Sequence, residues 1–216
     1  MRTTYRQELA TISDRLVEMT RMVGTAMTWA TTALVDADLS TAESVIEADR
    51  NIDDFQHDLE QRAVDLLALQ QPVATDLRIV VTSLQMSADL ERAGDLARHV
   101  AEVARRRCPE PAVPADLRAT VLQMGQVAQY VMAKAGTALE TKDVHMALEL
   151  ESDDAMDELL RQLFTHLLDE RWHHRVETSV DVTLCGRYYE RFADHAVAVA
   201  KRLVYLVTGE YADTPV

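Results

Sequence analysis

The feature that most narrows the folds open to this 216-residue chain is that it repeats itself. Glu91 and Asp95, within Leu90-Glu91-Arg92-Ala93-Gly94-Asp95, return as Glu190 and Asp194 within Tyr189-Glu190-Arg191-Phe192-Ala193-Asp194-His195 (190 − 91 = 99). Asp49-Arg50-Asn51-Ile52-Asp53 returns as Asp153-Asp154-Ala155-Met156-Asp157 (153 − 49 = 104), with Met156 falling on Ile52. Ala33-Leu34-Val35-Asp36-Ala37-Asp38 is answered by Ala138-Leu139-Glu140-Thr141-Lys142-Asp143 (138 − 33 = 105). The second connector is therefore five residues shorter than the first (104 − 99 = 5). Between the copies, Cys108-Pro109-Glu110-Pro111-Ala112-Val113-Pro114 holds three of the five prolines and cannot continue a helix. The expected division is a first unit over 1–108, a linker over 109–114 and a second unit over 115–216. A duplicated supersecondary unit favours a pseudo-symmetric fold.

Within each copy the apolar spacing is helical. Leu9, Ile12, Leu16, Met19, Val23, Ala26, Ala30 and Ala33 step by three and four, which predicts a helix from about Thr4 to Val35. Ser40-Thr41-Ala42-Glu43 has the spacing of a capping box for the next helix. That helix carries Val45, Ile52, Phe55, Leu59, Ala63 and Leu66 on one stripe and stops at Pro72. Thr75 or Asp76 can cap a third helix, whose row of Leu77, Val80, Val81, Leu84 and Ala88 runs on to Glu91 and Asp95. The second copy predicts helices over about Ala115 to Glu140, Val144 to Asp169 and Ser179 to Thr208, the last ending before Gly209. Six glycines, three phenylalanines and 48% hydrophobic residues rich in Ala, Leu, Val and Met agree with an all-α protein made of two three-helix bundles. The methionines read as core filler.

Charge excludes one class of partner. Thirty-six acidic against 22 basic residues leave a net charge of −14, which repels the phosphates of a nucleic acid and suits cations or basic partners. Arg105-Arg106-Arg107 fits the negative end of a helix dipole better than a nucleic-acid patch. Two cysteines in unlike contexts and no apolar N-terminal core point to reducing cytoplasm, and no apolar run approaches the length of a membrane span. Any membrane association is expected through a partner.

The acidic residues carry the chemistry. Asp49 and Asp53, Glu91 and Asp95, Asp153 and Asp157, and Glu190 and Asp194 are each four apart, so each pair shares a helix face, where like charges repel. If the second and third helices of each copy form an antiparallel hairpin, Asp53 and Glu91 differ in height by about 6 Å, and Asp157 and Glu190 by roughly 3 Å. Helices pack about 8–10 Å apart, so level pairs can converge on one centre. Such an oxygen-rich donor set suits Mg²⁺, Mn²⁺, Fe²⁺/³⁺ or Zn²⁺ better than soft cations. A single acidic pair beside Arg50, Arg92 or Arg191 reads as a solvated ion-pair face; four pairs in register read as metal ligands. His99, one turn past Asp95, is a candidate fifth ligand, although a core or surface role suits both it and His195. Glu170-Arg171-Trp172-His173 has a Glu-x-x-His spacing, but occurs once and at a helix break.

Leu90-Glu91-Arg92-Ala93-Gly94-Asp95, its echo through His195, Gln71-Pro72-Val73-Ala74-Thr75-Asp76-Leu77-Arg78 and Val45-Ile46-Glu47-Ala48-Asp49 resemble the PhoU family of phosphate-uptake regulators, over nearly the whole chain. The resemblance implies paired three-helix bundles and no enzymatic activity. It implies a cytoplasmic adaptor linking a phosphate ABC transporter, through its ATPase, to a sensor histidine kinase, and holding the phosphate-starvation response off when phosphate is plentiful. It also implies metal clusters on the acidic motifs, here Asp49, Asp53, Glu91 and Asp95, then Asp153, Asp157, Glu190 and Asp194. Leu96 stands where the family often has histidine, and Phe192 replaces a small aliphatic residue, a difference that points to unequal sites.

Two other classes compete with a metal-binding adaptor. One is a carboxylate-bridged metal enzyme for phosphoester hydrolysis or redox chemistry. The other is a metal-free helical scaffold or phosphotransfer module using His99. The sequence is compatible with a monomer or a homodimer.

Overall fold

The computed structural model describes residues 2–151 and 154–210. Among them every regular element is a helix: α1 (Arg2–Asp36), α2 (Leu39–Gln70), α3 (Ala74–Arg107), α4 (Arg118–Thr141), α5 (Val144–Glu151), α6 (Ala155–Leu167) and α7 (Val176–Thr208). The stripe on α1 is buried as its spacing requires, from Ile12 through Ala33, with Leu9 packed at its edge. On α2, Val45, Ile52, Leu59, Ala63 and Leu66 are buried and Phe55 partly so. The buried methionines, Met19, Met27, Met86, Met124, Met132 and Met156, all lie in the core.

Three details depart from the expected pattern. Asp38, not Ser40, caps α2: its carboxylate accepts from the Ser40 and Thr41 backbone N–H groups at 3.0 and 3.1 Å and from the Thr41 hydroxyl at 2.6 Å. A carboxylate near the positive end of the helix dipole gains more than a hydroxyl there. Val73, with no side-chain cap, precedes α3, so neither Thr75 nor Asp76 is the cap residue. The expected fifth helix corresponds to α5, to Glu151, and α6, from Ala155 to Leu167, on either side of residues 152–153, which lie outside the described residues. Finally, the row Leu77, Val81, Ala88 that leads to Glu91 is exposed, while the buried face of α3 runs through Val80, Ser83, Met86, Leu90, Ala97 and Val100. The acids thus lie beside the core stripe.

The first copy packs α1, α2 and α3 together, and the second packs α4 through α7. The halves join where α1 meets α4 and α3 meets α7, giving one continuous hydrophobic core. The α1–α4 crossing has a two-fold logic. Thr31 fills the space a Cβ at Gly125 would need, only 2.5 Å from the Thr31 Cγ2, and Thr20 does the same at Gly136. The repeat offset of 105 sets Gly136 on Thr31 and Gly125 on Thr20, so one helix supplies threonine wherever the other supplies glycine. Tyr189, fully buried on α7, donates to the Thr31 hydroxyl at 2.9 Å and ties a third helix to this crossing. Arg118 closes the α1 end, donating to the Val35 carbonyl and the Asp36 carboxylate at 2.5 Å each.

Along the antiparallel α3–α7 seam lie the two histidines considered as ligands. His195 Nδ1 is 3.3 Å from Asp89 Oδ1, and Arg202 Nε donates to Asp89 Oδ2 at 2.6 Å. Burial opposes ionisation of Asp89, but the bonds from His195 and Arg202 outweigh it and hold its carboxyl below the usual range. The His99 ring packs on Tyr188 with centroids 5.3 Å apart. Both histidines serve the joint between halves. His99 is half-buried in that stack, and its Nδ1 is buried without a hydrogen-bond partner.

Candidate functional site

In the first half, α2 and α3 place the four acids within electrostatic reach of one another. Asp49 falls in the middle of the α2 stripe, between Val45 and Ile52, and is 7% exposed. Gly94 on α3 makes room for it: a Cβ there would stand 3.1 Å from Ile52 Cδ1 and 3.7 Å from Asp49 Oδ1. Glu91 and Asp95 are half-buried and Asp53 is exposed at the rim. Burial pushes the Asp49 carboxyl up, and the charges of Asp53 and Asp95 push it further, against the pull of Arg98. Glu91 is raised by burial and then by Asp95, with smaller contributions from Asp53 and Asp49 opposed by Arg92. Each of these acids therefore feels the charge of acids on the opposite helix.

A residue absent from the sequence-level site organises this cluster. Arg98 Nε forms an ion pair with Asp49 Oδ2 at 2.6 Å, while Nη2 donates to Asp95 Oδ1 at 2.6 Å and Nη1 to Glu102 Oε1 at 2.8 Å. Its guanidinium pKa is raised by these bonds, chiefly the one to Asp95, despite partial burial. Arg92, which neighbours the acids in sequence, is 3.7 Å from Glu91 and 3.8 Å from Asp95 and mostly exposed. The useful signal was helical spacing: Arg98 is three residues past Asp95, so it shares that face.

The second half repeats the acids with different neighbours. Glu190 on α7 is half-buried, while Asp194 and Asp157 are exposed. Burial raises the Glu190 carboxyl, Asp194 and Asp157 raise it further, and Arg187 opposes them. Asp157 on α6 is thus within electrostatic reach of Glu190 on α7. Arg187 Nη1 donates to Glu190 Oε1 at 2.5 Å, but the other oxygen, Oε2, is buried without a hydrogen-bond partner. Val197 occupies the position equivalent to Arg98 (197 − 98 = 99). Asp153 lies outside the described residues.

Sequence reasoning also missed Asp181, 5% exposed on α7. Arg106 Nη2 and Arg107 Nε, at the end of α3, donate to its two oxygens at 2.7 and 2.5 Å. The Arg105–Arg107 run thus reaches across the seam as well as completing its own helix. Only the antiparallel pairing of α3 with α7 reveals this partner.

The donor set of each cluster is carboxylate oxygen, which suits a hard cation. Among the described residues no three Asp, Glu, His or Cys side chains are already gathered around one metal position. The buried, unpartnered Glu190 Oε2 fits a cation ligand in the second half; in the first half a guanidinium already holds the inner acid.

A family model described as the PhoU domain matches twice, over residues 16–104 and 121–203. This chain belongs to the PhoU family. It is 47% identical over 212 residues to phosphate-specific transport system accessory protein PhoU homolog 2 of Mycobacterium tuberculosis, covering 98% of this chain and 100% of the relative. It is 46% identical over 214 residues to PhoU homolog 1 of Mycobacterium leprae, covering 99% and 96%. The crystal structure of PhoU from Pseudomonas aeruginosa superposes with a TM-score of 0.86 at 29% identity, covering 95% of this chain and all of that one. The Streptococcus pneumoniae phosphate transport system regulatory protein PhoU gives 0.87 at 25% identity, covering 97% and 100%. One matched segment falls in each copy of the duplication, and the two PhoU crystal structures share the all-α fold described above.

Proposed function

We propose that this PhoU-family protein is a phosphate-transport accessory and regulatory protein that works by recognition. It couples the ATPase of a phosphate ABC transporter to a sensor histidine kinase and represses the phosphate-starvation response when phosphate is plentiful. The observation that carries this reading is the near-full-length identity to proteins named as phosphate-specific transport system accessory proteins. A cytoplasmic location follows from such a role. Among the described residues no helix is long and apolar enough to cross a membrane, so contact with the transporter would be peripheral.

The metal part of the proposal rests on the acidic clusters. Asp157, Glu190 and Asp194, with Asp153, would hold a Mg²⁺, Mn²⁺, iron or Zn²⁺ ion in the second half, and Asp49, Asp53, Glu91 and Asp95 are the corresponding set in the first. A bound cation would neutralise the repelling acids and fix the spacing of α6 against α7, and so set the surface a partner meets. Two shallow apolar grooves are suited to such contacts. One, about 340 Å³, lies between α1 and α2 beside Met22, Trp29, Val45 and Ile52; the other, about 570 Å³, lies between α4 and α6 beside Val127, Tyr130 and Leu159.

Co-purification tests the role. Mixed with the candidate transporter ATPase and the kinase, the protein should retain at least one of them, and chelator should weaken that retention. Retention of neither, with or without metal, contradicts the adaptor reading.

A further inference from the structure

The two acidic clusters face different neighbours, and this difference bears on the metal reading above, on which the inference rests. In the first half the innermost acid, Asp49, is engaged by Arg98 at 2.6 Å, and the same guanidinium spans Asp95 and Glu102. A bidentate or bridging guanidinium is the strongest organic counter-ion a carboxylate pair can have, and it cannot lose its charge. In the second half the equivalent position is Val197, and a buried oxygen of Glu190 has no partner.

We infer that Arg98 is a built-in cation of the first cluster, which keeps metal out unless it is displaced, so that the second cluster fills first and the two sites of this chain are unequal. Displacement has a local route. Glu102, one turn beyond Arg98, already holds one guanidinium nitrogen, and the arginine side chain is 26% exposed, so it can leave Asp49 and Asp95 without becoming an unpaired buried charge. Phosphate signalling through this protein would then have two metal thresholds instead of one.

The test is Mn²⁺ titration of the metal-stripped full chain, free Mn²⁺ being followed by electron paramagnetic resonance. Wild type should show one tight class of site and a second class at least tenfold weaker. Arg98→Val, which installs the residue of the second half, should convert the weak class to tight binding, and adding Asp49→Asn should abolish that gain. Arg98→Gln, similar in size and uncharged, guards against a fold defect in the valine variant and should behave alike. Thermal melts by circular dichroism confirm that each variant is folded. A wild-type tight class lost on Asp49→Asn, or Arg98 variants that titrate like wild type, would overturn the inference. If Glu190→Gln leaves wild-type binding unchanged while Arg98→Val still gains a site, the Arg98 inference stands and the assignment of the second cluster fails. Absence of Mn²⁺ binding in every variant overturns both.

Discussion

The two halves place Asp53 and Asp157, Glu91 and Glu190, and Asp95 and Asp194 at equivalent points on equivalent helices, yet they balance them differently. On α3, Arg98 answers Asp49 and Asp95 from within the cluster. On α7, Arg187 reaches only one oxygen of Glu190 and leaves the other buried and bare. The seam shows the same contrast. Asp181 on α7 is buried beneath two arginines, whereas the equivalent residue of α3, Thr82 (181 − 99 = 82), is buried with an unpartnered hydroxyl. Duplication of a helical unit repeats where backbone atoms lie; what each site can bind is set by a few neighbours that differ between the copies.

The largest expected effect tests the seam. Arg106→Met combined with Arg107→Met leaves the buried Asp181 charge without partners and should destabilise the protein by about 4 kcal/mol in denaturant unfolding. Adding Asp181→Thr, which copies the first half, should recover most of that loss. Should the double arginine variant unfold like wild type, the two halves are equivalent at this seam.

Next in size is Arg98→Val without metal. It strands Asp49 among three other carboxylates and should cost about 2–3 kcal/mol, while Val197→Ala, at the matching place, should cost about 1 kcal/mol or less. Equal losses would erase the distinction between the clusters.

At the crossing of the halves, Gly125→Ala sets a methyl against Thr31, which is itself tied to Tyr189, and should cost about 1–3 kcal/mol by overpacking. Ala128→Gly, on the same helix and equally buried, creates no clash and should cost only about 1 kcal/mol of helix propensity.

The smallest effect has the opposite sign. The Glu190 carboxyl is raised by burial and by Asp194 and Asp157, so the folded state binds its proton more tightly than the unfolded chain does. Its contribution is favourable below the unfolded carboxylate pKa and is lost as pH rises through the folded value. In metal-free protein Glu190→Gln should therefore stabilise by roughly 1 kcal/mol at neutral pH, and the gain should shrink as pH falls into the carboxylate range, where Glu190 itself is protonated. Thermal unfolding at two pH values in chelator reads it.

Much of this was legible in the sequence because it depends on spacing within a helix or on comparison of the copies. The stripe from Ile12 to Ala33, the stop at Pro72 and the linker prolines all follow from periodicity and offset. What was hidden depends on rotation and pairing between helices. Arg98 lies on the face of Asp95, but its hold on Asp49 requires knowing how α2 turns against α3. Asp181 meets Arg106 and Arg107 only because α3 runs antiparallel to α7, a pairing between copies that no internal offset encodes. The Asp38 cap was local, and here the capping-box spacing from Ser40 to Glu43 masked the capping preference of Asp.

Metal stoichiometry of the purified protein reaches the central claim most directly. Elemental analysis should find bound metal that Glu190→Gln with Asp194→Asn removes and Asp49→Asn leaves in place. Metal that survives the loss of Glu190 and Asp194, or that vanishes with Asp49 alone, would contradict the account.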